Sequence, residues 1–327
     1  MTGYLARRTL LSAMTMVLLT AAVYAAIRSL PGGPSTVDAP GSSVVGESWL
    51  GRDHPLDPLP VGYARWLGDV ASLDLGHSLS VQPGAPVAGL VAAALPYTLL
   101  LGALAFILTI SLALPLGLLA AWKPRSAGAR GTAVLLYALH ALPGFWIALA
   151  LQQVFSGLWG WLPPLGAGPL DASPGLGGFV ASAPYWVLPT LAVTLGPLAF
   201  VIRYFRSALL EAIDQGYTVG ARARGAGVAR VLCAHALAGS AVPIISLFGV
   251  ILPAALSGGI VVETIFGLPG IGRLFFLAAS RRDYPVLMAL SFLAAAATMV
   301  AQLLADVLYR RADPRVSWPA GQGGTES

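Results

Sequence analysis

An all-α integral membrane protein with six transmembrane helices is the fold class this sequence predicts, and three observations carry it. Of its 327 residues, 57% are hydrophobic and only 10% are charged, where a soluble domain carries about a quarter charged. So few charges cannot cover a soluble surface of this size. They are also clustered, and the uncharged apolar runs between the clusters approach the length of a bilayer crossing, about 20 residues per helix. Lipid offers no partner for backbone N–H and C=O groups, so such runs are expected to be helical. No polar segment is long enough for a second folded domain.

The first span is Leu10 to Ile27, "LLSAMTMVLLTAAVYAAI". With Arg7-Arg8 ahead of it and small residues near Tyr24-Ala25-Ala26, it shares features with a signal peptide. The run is long for a signal sequence and is read as retained; cleavage would leave five spans and an outer N-terminus. The second span lies within Pro96 to Trp122, and the third runs from about Thr132 to Phe155. The fourth is Tyr185 to Ile202, the fifth Pro243 to Val262, and the sixth Pro285 to Leu308. Pro115, Pro143, Pro189, Pro197 and Pro253 fall inside these runs. Each removes a backbone donor and kinks a helix, tolerable where neighbouring helices satisfy the freed carbonyls.

Lys and Arg set the orientation. With the N-terminus inside, the inner face receives Arg7, Arg8, Lys123, Arg125, Arg130, Arg203, Arg206, Arg222, Arg224, Arg230, Arg310, Arg311 and Arg315. The outer face keeps six arginines amid most of the acids. Both termini are therefore expected to be cytoplasmic. The net charge of +5 marks that inner side and gives no indication of nucleic-acid binding. The expected organisation is a first transmembrane helix at 1–30, an outer (periplasmic) segment at 31–95, a five-helix core at 96–315 containing an inner loop at 203–242, and a tail at 316–327.

In the outer segment, "YARWLGDVASL" places Tyr63, Trp66, Leu67 and Val70 at helical spacing, as in a short amphipathic helix lying at the membrane interface. Trp159, Trp161, Tyr185 and Trp186 flank the third and fourth spans, where aromatic belts sit.

The inner loop is the least membrane-like part of the chain. It is too long for a helix connection yet rich in helix-forming Ala, Leu and Arg. "RSALLEAID" reads as a continuation of the fourth span, "YTVGARARG" as a second short helix and "VARVLCAHAL" as a third. Gly216, Gly220, Gly225 and Gly227 allow the turns between them. Small residues at Gly220, Ala221, Ala223 and Gly225 allow close approach by another surface, with Arg222 and Arg224 directed to solvent or to an acidic groove. An amphipathic segment on anionic lipid is the alternative. "GARARGAG" lacks the bulky apolar side chains such a segment uses, which favours a soluble protein partner.

"YTVGARARGAGVARVLCAHALAGSAVPIISLFG" resembles the cytoplasmic-loop signature of the permease subunits of bacterial ABC importers, in the peptide/nickel (oligopeptide/dipeptide-type) branch of the binding-protein-dependent transport inner-membrane component family. "DLGHSLS" from Asp74, "LPYTLLLG" from Leu95, "VVETIFGLPGIGRLFFLAASRRDYPVLMAL" from Val261 and "DVLYRRADPRV" are similar to further motifs of that family. The likeness covers most of the chain after Leu73. Two departures stand in the loop: "TVGARARG" has no acid where the broader family often carries one, and Gly216, Val219 and Gly220 replace residues common in this branch.

The resemblance implies a type I ABC importer permease fold. It also implies four kinds of partner: a second homologous permease subunit, two cytoplasmic ABC ATPase subunits, an extracytoplasmic substrate-binding protein and the surrounding bilayer. Tyr217 to Gly227 would be the coupling helix that docks in an ATPase groove, with Tyr217, Gly220, Ala221, Arg222, Ala223, Arg224, Gly225 and Gly227 as its residues. ATP and Mg would sit on the partner subunits, with no cofactor bound by this chain. Peptides are the cargo the resemblance favours, with nickel or other small solutes as alternatives, in a bacterial cytoplasmic (inner) membrane.

The residues agree with that division of labour. There is no GxxxxGK[ST] phosphate loop, no nucleophile–base constellation and no metal-ligand cluster. His54, His77, His140 and His235 are scattered, and Cys233 is the single cysteine. Glu263, an acid following Ile260-Val261-Val262, is expensive at membrane depth. It is a pathway or gate candidate, or a solvated residue at a span's end. Ser246, Ser257 and Thr194 are pathway candidates as polar residues in apolar runs. The competing class is a self-sufficient ion-coupled secondary transporter or channel, which places ionisable residues within its spans or shows internal repeats. Spans two to five have no charge at their centres.

Overall fold

The computed structural model describes residues 2–29, 58–122, 131, 133–134, 137–138, 140–168, 176–240 and 259–312. Among the described residues the regular structure is helical, apart from one isolated bridge between His77 and Pro86. The order is α1 (Thr2–Ser29), α2 (Leu59–Ala71), α3 (Val87–Trp122), α4 (Gly144–Leu151, continued by a π turn over Gln152–Leu158), α5 (Leu176–Ile213) and α6 (Gly216–Ala223). There follow α7 (Val228–Arg230, a π segment Val231–Ala236, then Leu237–Gly239), α8 (Ile260–Phe266), α9 (Ile271–Arg281) and α10 (Tyr284–Ala312).

Four helical stretches are long and apolar enough to cross a membrane: Arg8–Ser29, Val87–Trp122, Val180–Ile213 and Tyr284–Val307. They contain the predicted first, second, fourth and sixth spans. The second helix begins earlier than its predicted stretch, at Val87, so residues 87–95 of the expected outer segment are its first turns. The predicted third span is interrupted. Helix at 140–141 ends before Pro143, which takes φ −58° and ψ 137° and opens α4 as its N-cap. Proline disfavours the α region for the residue before it and breaks the hydrogen-bond ladder. The predicted fifth span lies outside the described residues except at 259–262, where Ile260–Val262 open α8.

Where the sequence suggested an outer loop after Val262, the chain forms two helices. Gly267 closes α8 in the left-handed conformation, φ 67°, and Leu268-Pro269-Gly270 turns the chain before α9. The pair α8–α9 is bent by 90°.

The chain divides into two compact units. The first comprises 1–108, 141–196 and 254–299. Within it, α2 does not lie on a membrane surface with its apolar face free. Trp66 and Val70 pack on Tyr24 and Ile27 of α1 and on Tyr284 and Met288 of α10. Tyr63 Oη donates to the Val17 carbonyl at 2.8 Å and lies 2.7 Å from Thr20 Oγ1. A second core joins Val87 and Ala94 of α3, Ile271, Leu274 and Ala278 of α9, and Val286, Ala289 and Leu290 of α10. Positions 271, 274 and 278 form a single helical stripe. A third core includes Tyr97 and Trp186, whose rings stack at 6.3 Å.

The second unit comprises 109–140, 197–253 and 300–327. Gly117 of α3 faces α5 so closely that a Cβ there would stand 3.0 Å from Phe205 Cβ. Arg206 Nε donates to the Ala120 carbonyl at 3.4 Å. Ala121, Leu209, Ala212, Leu232 and Ala236 form its core.

Candidate functional site

The inner loop folds as its sequence predicts. α5 runs to Ile213, carrying "RSALLEAI" past the apolar part of the span. Its last carbonyls would be left without partners, and Thr218 meets one of them: its Oγ1 donates to the Ala212 carbonyl at 2.8 Å. Thr218 and Ala221 are buried and seat α6 on its own chain. The end of α6 is a Schellman motif. Ala226 N–H donates to Ala221 O at 3.1 Å and Gly225 N–H to Arg222 O at 2.9 Å, with Gly225 left-handed at φ 85°. A side chain at Gly225 would meet nothing within 4 Å, so its glycine answers to the backbone and not to crowding. Gly227 then caps α7 from an extended conformation. Val231, Leu232 and Ala236 are the buried face of α7.

This arrangement leaves one continuous outward face. Tyr217, Val219 and Val228 are about half exposed, and Arg222, Ala223, Arg224, Gly225 and Gly227 are exposed with them. Gly220 is partly covered. Ala221, expected on the approachable side, is instead 2% exposed and turned inward: a short side chain there lets α6 sit close to its own support. Val219 and Val228 are apolar members of the face that sequence reasoning passed over. The burial of Thr218 and Ala221, three apart on one side of a helix, is the signal that puts Val219 on the other.

The remaining candidates scatter. Ser246 and Ser257 lie outside the described residues. Thr194 is buried, and its Oγ1 donates to the Ala105 carbonyl of α3 at 3.3 Å, a helix-to-helix bond. Glu263 is neither solvated nor open to a cavity wall: it is 1% exposed and forms a junction. Oε1 accepts from Thr98 Oγ1 at 2.8 Å, and Oε2 accepts from the Arg273 N–H at 3.0 Å. Thr98 Oγ1 also accepts from the Ile271 N–H at 2.8 Å. The first N–H groups of α9 have no partner within their own helix, so the carboxylate of α8 and the hydroxyl of α3 together cap it, where helix polarity favours an anion. Two glycines make room. A Cβ on Gly272 would stand 2.7 Å from Ile260 Cα, and one on Gly270 would overlap Glu263 and Thr98.

Among the described residues, no group of three or more His, Cys, Asp or Glu could hold a metal ion.

Residues 113–318 match the family model described as "Binding-protein-dependent transport system inner membrane component". The chain is 35% identical to the oligopeptide transport system permease protein AppB of Bacillus subtilis (strain 168), over 97% of this chain and all of that protein. It is 32% identical to the di/tripeptide transport system permease protein DppB of Pseudomonas aeruginosa (strain UCBPP-PA14), over 97% of this chain and 99% of that protein. An inward-facing structure of the MetNI methionine ABC transporter superposes with a TM-score of 0.54 at 17% identity, across 68% of this chain and 96% of the other; that likeness concerns the fold alone. With its helical, multi-pass architecture, the chain belongs to the binding-protein-dependent transport system inner membrane components, the permease subunits of ABC importers.

Proposed function

We propose that this permease forms one half of an ATP-driven import pathway for peptides in the bacterial inner membrane. It couples to a cytoplasmic ATPase through Tyr217 to Gly227. The observation that carries the coupling role is the construction of α6. Its inner side is pinned by Thr218 and Ala221, while its outer side leaves Tyr217 and Val219 half exposed and Arg222 and Arg224 exposed. A helix anchored on one face and exposed on the other can transmit a push from a docked partner, whereas a solvated loop would yield. Oligopeptides and di/tripeptides are what AppB and DppB transport by name, and they support peptides as the cargo class. A second permease subunit, two ATPases and an outer binding protein complete the assembly. ATP and Mg belong to the ATPases.

The test is co-expression with candidate ATPases, scored by co-purification and by uptake of a labelled tripeptide into proteoliposomes. Arg222→Glu with Arg224→Glu, and separately Gly225→Trp, are expected to abolish ATPase retention and uptake while leaving the chain in the membrane. Full ATPase association in both variants refutes the coupling role. Concentrative uptake by the chain alone, driven by an ion gradient, refutes the importer assignment.

A further inference from the structure

The motif "DLGHSLS" and the segment "RRDYP" have no part in the coupling surface, yet the fold brings them together. Asp283 follows α9, and its Oδ2 collects four donors. Ser78 Oγ donates at 2.5 Å, and the N–H groups of Leu79, Ser80 and Val81 donate at 3.1, 2.9 and 2.9 Å. Ser78 Oγ in turn accepts the Gln82 N–H at 2.9 Å. From the other side, Arg281 Nη1 reaches the Val81 carbonyl at 3.3 Å. The 78–82 segment is thus gripped by its donors and by an acceptor, from a corner about 200 residues away in sequence.

Three features set this contact apart from ordinary packing. Asp283 is fully buried and Ser78 nearly so, and the other carboxylate oxygen, Oδ1, has no hydrogen-bond partner. A buried carboxylate is costly to desolvate, and here one oxygen takes all four donors while the other takes none. Second, among the described residues, Leu73 (φ 64°) and Arg282 (φ 54°) are the non-glycine residues with positive φ. One immediately precedes the Asp74–Gly76 turn upstream of the gripped segment, and the other immediately precedes Asp283. Both are the left-handed residues of Schellman turns that close α2 and α9, so the two helix ends that flank the grip are set by their own backbone bonds. Third, the grip fixes the far end of a helix whose near end is already fixed. α9 is capped at its start by Glu263 and Thr98, and the Asp283 contact binds its end to the segment that leads into α3.

We propose that Asp283 is a positioning residue for import: with Ser78 it forms a latch that holds segment 74–86 in register against the α9–α10 corner, and cargo handover depends on that register. The proposal rests on the importer assignment above, under which this segment lies on the outer side, where the binding protein delivers cargo.

The test uses the whole transporter in proteoliposomes with its ATPases, second permease and binding protein, and tritiated trialanine as cargo. Asp283→Asn is compared with Leu188→Ala, a change in the Tyr97–Trp186 core, which includes no residue of segment 74–86, so it lowers stability without touching the latch. Asp283→Asn is expected to keep basal ATP hydrolysis within twofold of wild type. It should lower binding-protein-stimulated uptake at least tenfold and raise the binding-protein concentration needed for half-maximal stimulation. Amide exchange at Leu79, Ser80 and Val81 is expected to accelerate at least tenfold, with the core of α10 unchanged. Ser78→Ala, which removes one donor of four, is expected to show the same pattern more weakly, and it carries the test if Asp283→Asn does not assemble. Uptake equal to wild type, or uptake falling only in step with Leu188→Ala at matched thermal stability, overturns the latch. Loss of binding-protein dependence in the wild-type transporter overturns the importer assignment instead, while the exchange measurement still reports on the grip itself.

Discussion

Gly270→Ala should be among the more damaging single-methyl changes in this protein. The residue sits at φ −93° and ψ 177°, extended backbone that alanine adopts freely, so the backbone contributes no strain and the penalty is steric. The added Cβ would lie 2.5 Å from Glu263 Cδ and 2.7 Å from Thr98 Oγ1, where carbon atoms rest about 3.5–4.0 Å apart. Neither neighbour can swing away cheaply. Thr98 is short, and the carboxylate end of Glu263 is held by hydrogen bonds to Thr98 and to the start of α9, so moving either one gives up those bonds. Overpacking of this kind costs about 1–3 kcal/mol, and displacing the carboxylate sacrifices charged hydrogen bonds worth about 1.5–3 kcal/mol each. The expected loss is roughly 3–5 kcal/mol. It would be read as a fall of several degrees in the melting temperature of the detergent-solubilised protein and as reduced membrane abundance. Gly68→Ala on α2 is the control: its Cβ meets nothing within 4 Å, and alanine is the better helix former by about 1 kcal/mol. A Gly270→Ala protein that melts with wild type, or a Gly68→Ala protein that loses as much, would refute the close-packed cap.

Four further outcomes follow from the same geometry. Glu263→Gln replaces one acceptor oxygen with a donor facing donors, and thermal melting should show a loss of about 1.5–3 kcal/mol. A melting temperature unchanged from wild type would mean that the carboxylate is not needed as the cap. Thr218→Val keeps the shape but leaves the Ala212 carbonyl without its hydroxyl, for about 1–2 kcal/mol. Limited proteolysis should cut between α6 and α7 sooner, and an unchanged cutting rate would show that the hydroxyl does not seat α6. At Gly225, Asn should be tolerated because it visits the left-handed region readily, whereas Val should lower ATPase co-purification; equal behaviour of the two would contradict the Schellman turn. Gly117→Leu should disrupt the α3–α5 contact at Phe205 and reduce abundance severalfold, and normal abundance would argue against that close approach.

The spans and the inner loop were legible in sequence because each is a local property. Lipid imposes an apolar composition on any helix that crosses it, so α1, α3, α5 and α10 were visible as runs. Gly216, Gly225 and Gly227 punctuated α6 and α7 for an equally local reason, the conformational needs of helix ends. The interruption at Pro143 was present as a residue and misjudged as a kink. Pro143 takes an extended ψ and starts a new helix, while a kinked span would have kept it helical.

Sequence by itself determined that this chain is a helical membrane protein, where its apolar runs lie, and where one loop folds into short helices. Only the tertiary structure decided which groups Glu263 and Asp283 bind. Glu263 finds Thr98 at a separation of 165 residues, and Asp283 finds Ser78 at 205. Neither pairing leaves a periodic trace, because a carboxylate's partners are set by which helix ends the packed cores bring within about 3 Å. Hydrophobic spacing records which face of a helix is buried; it does not record which unsatisfied N–H groups arrive beside a buried charge.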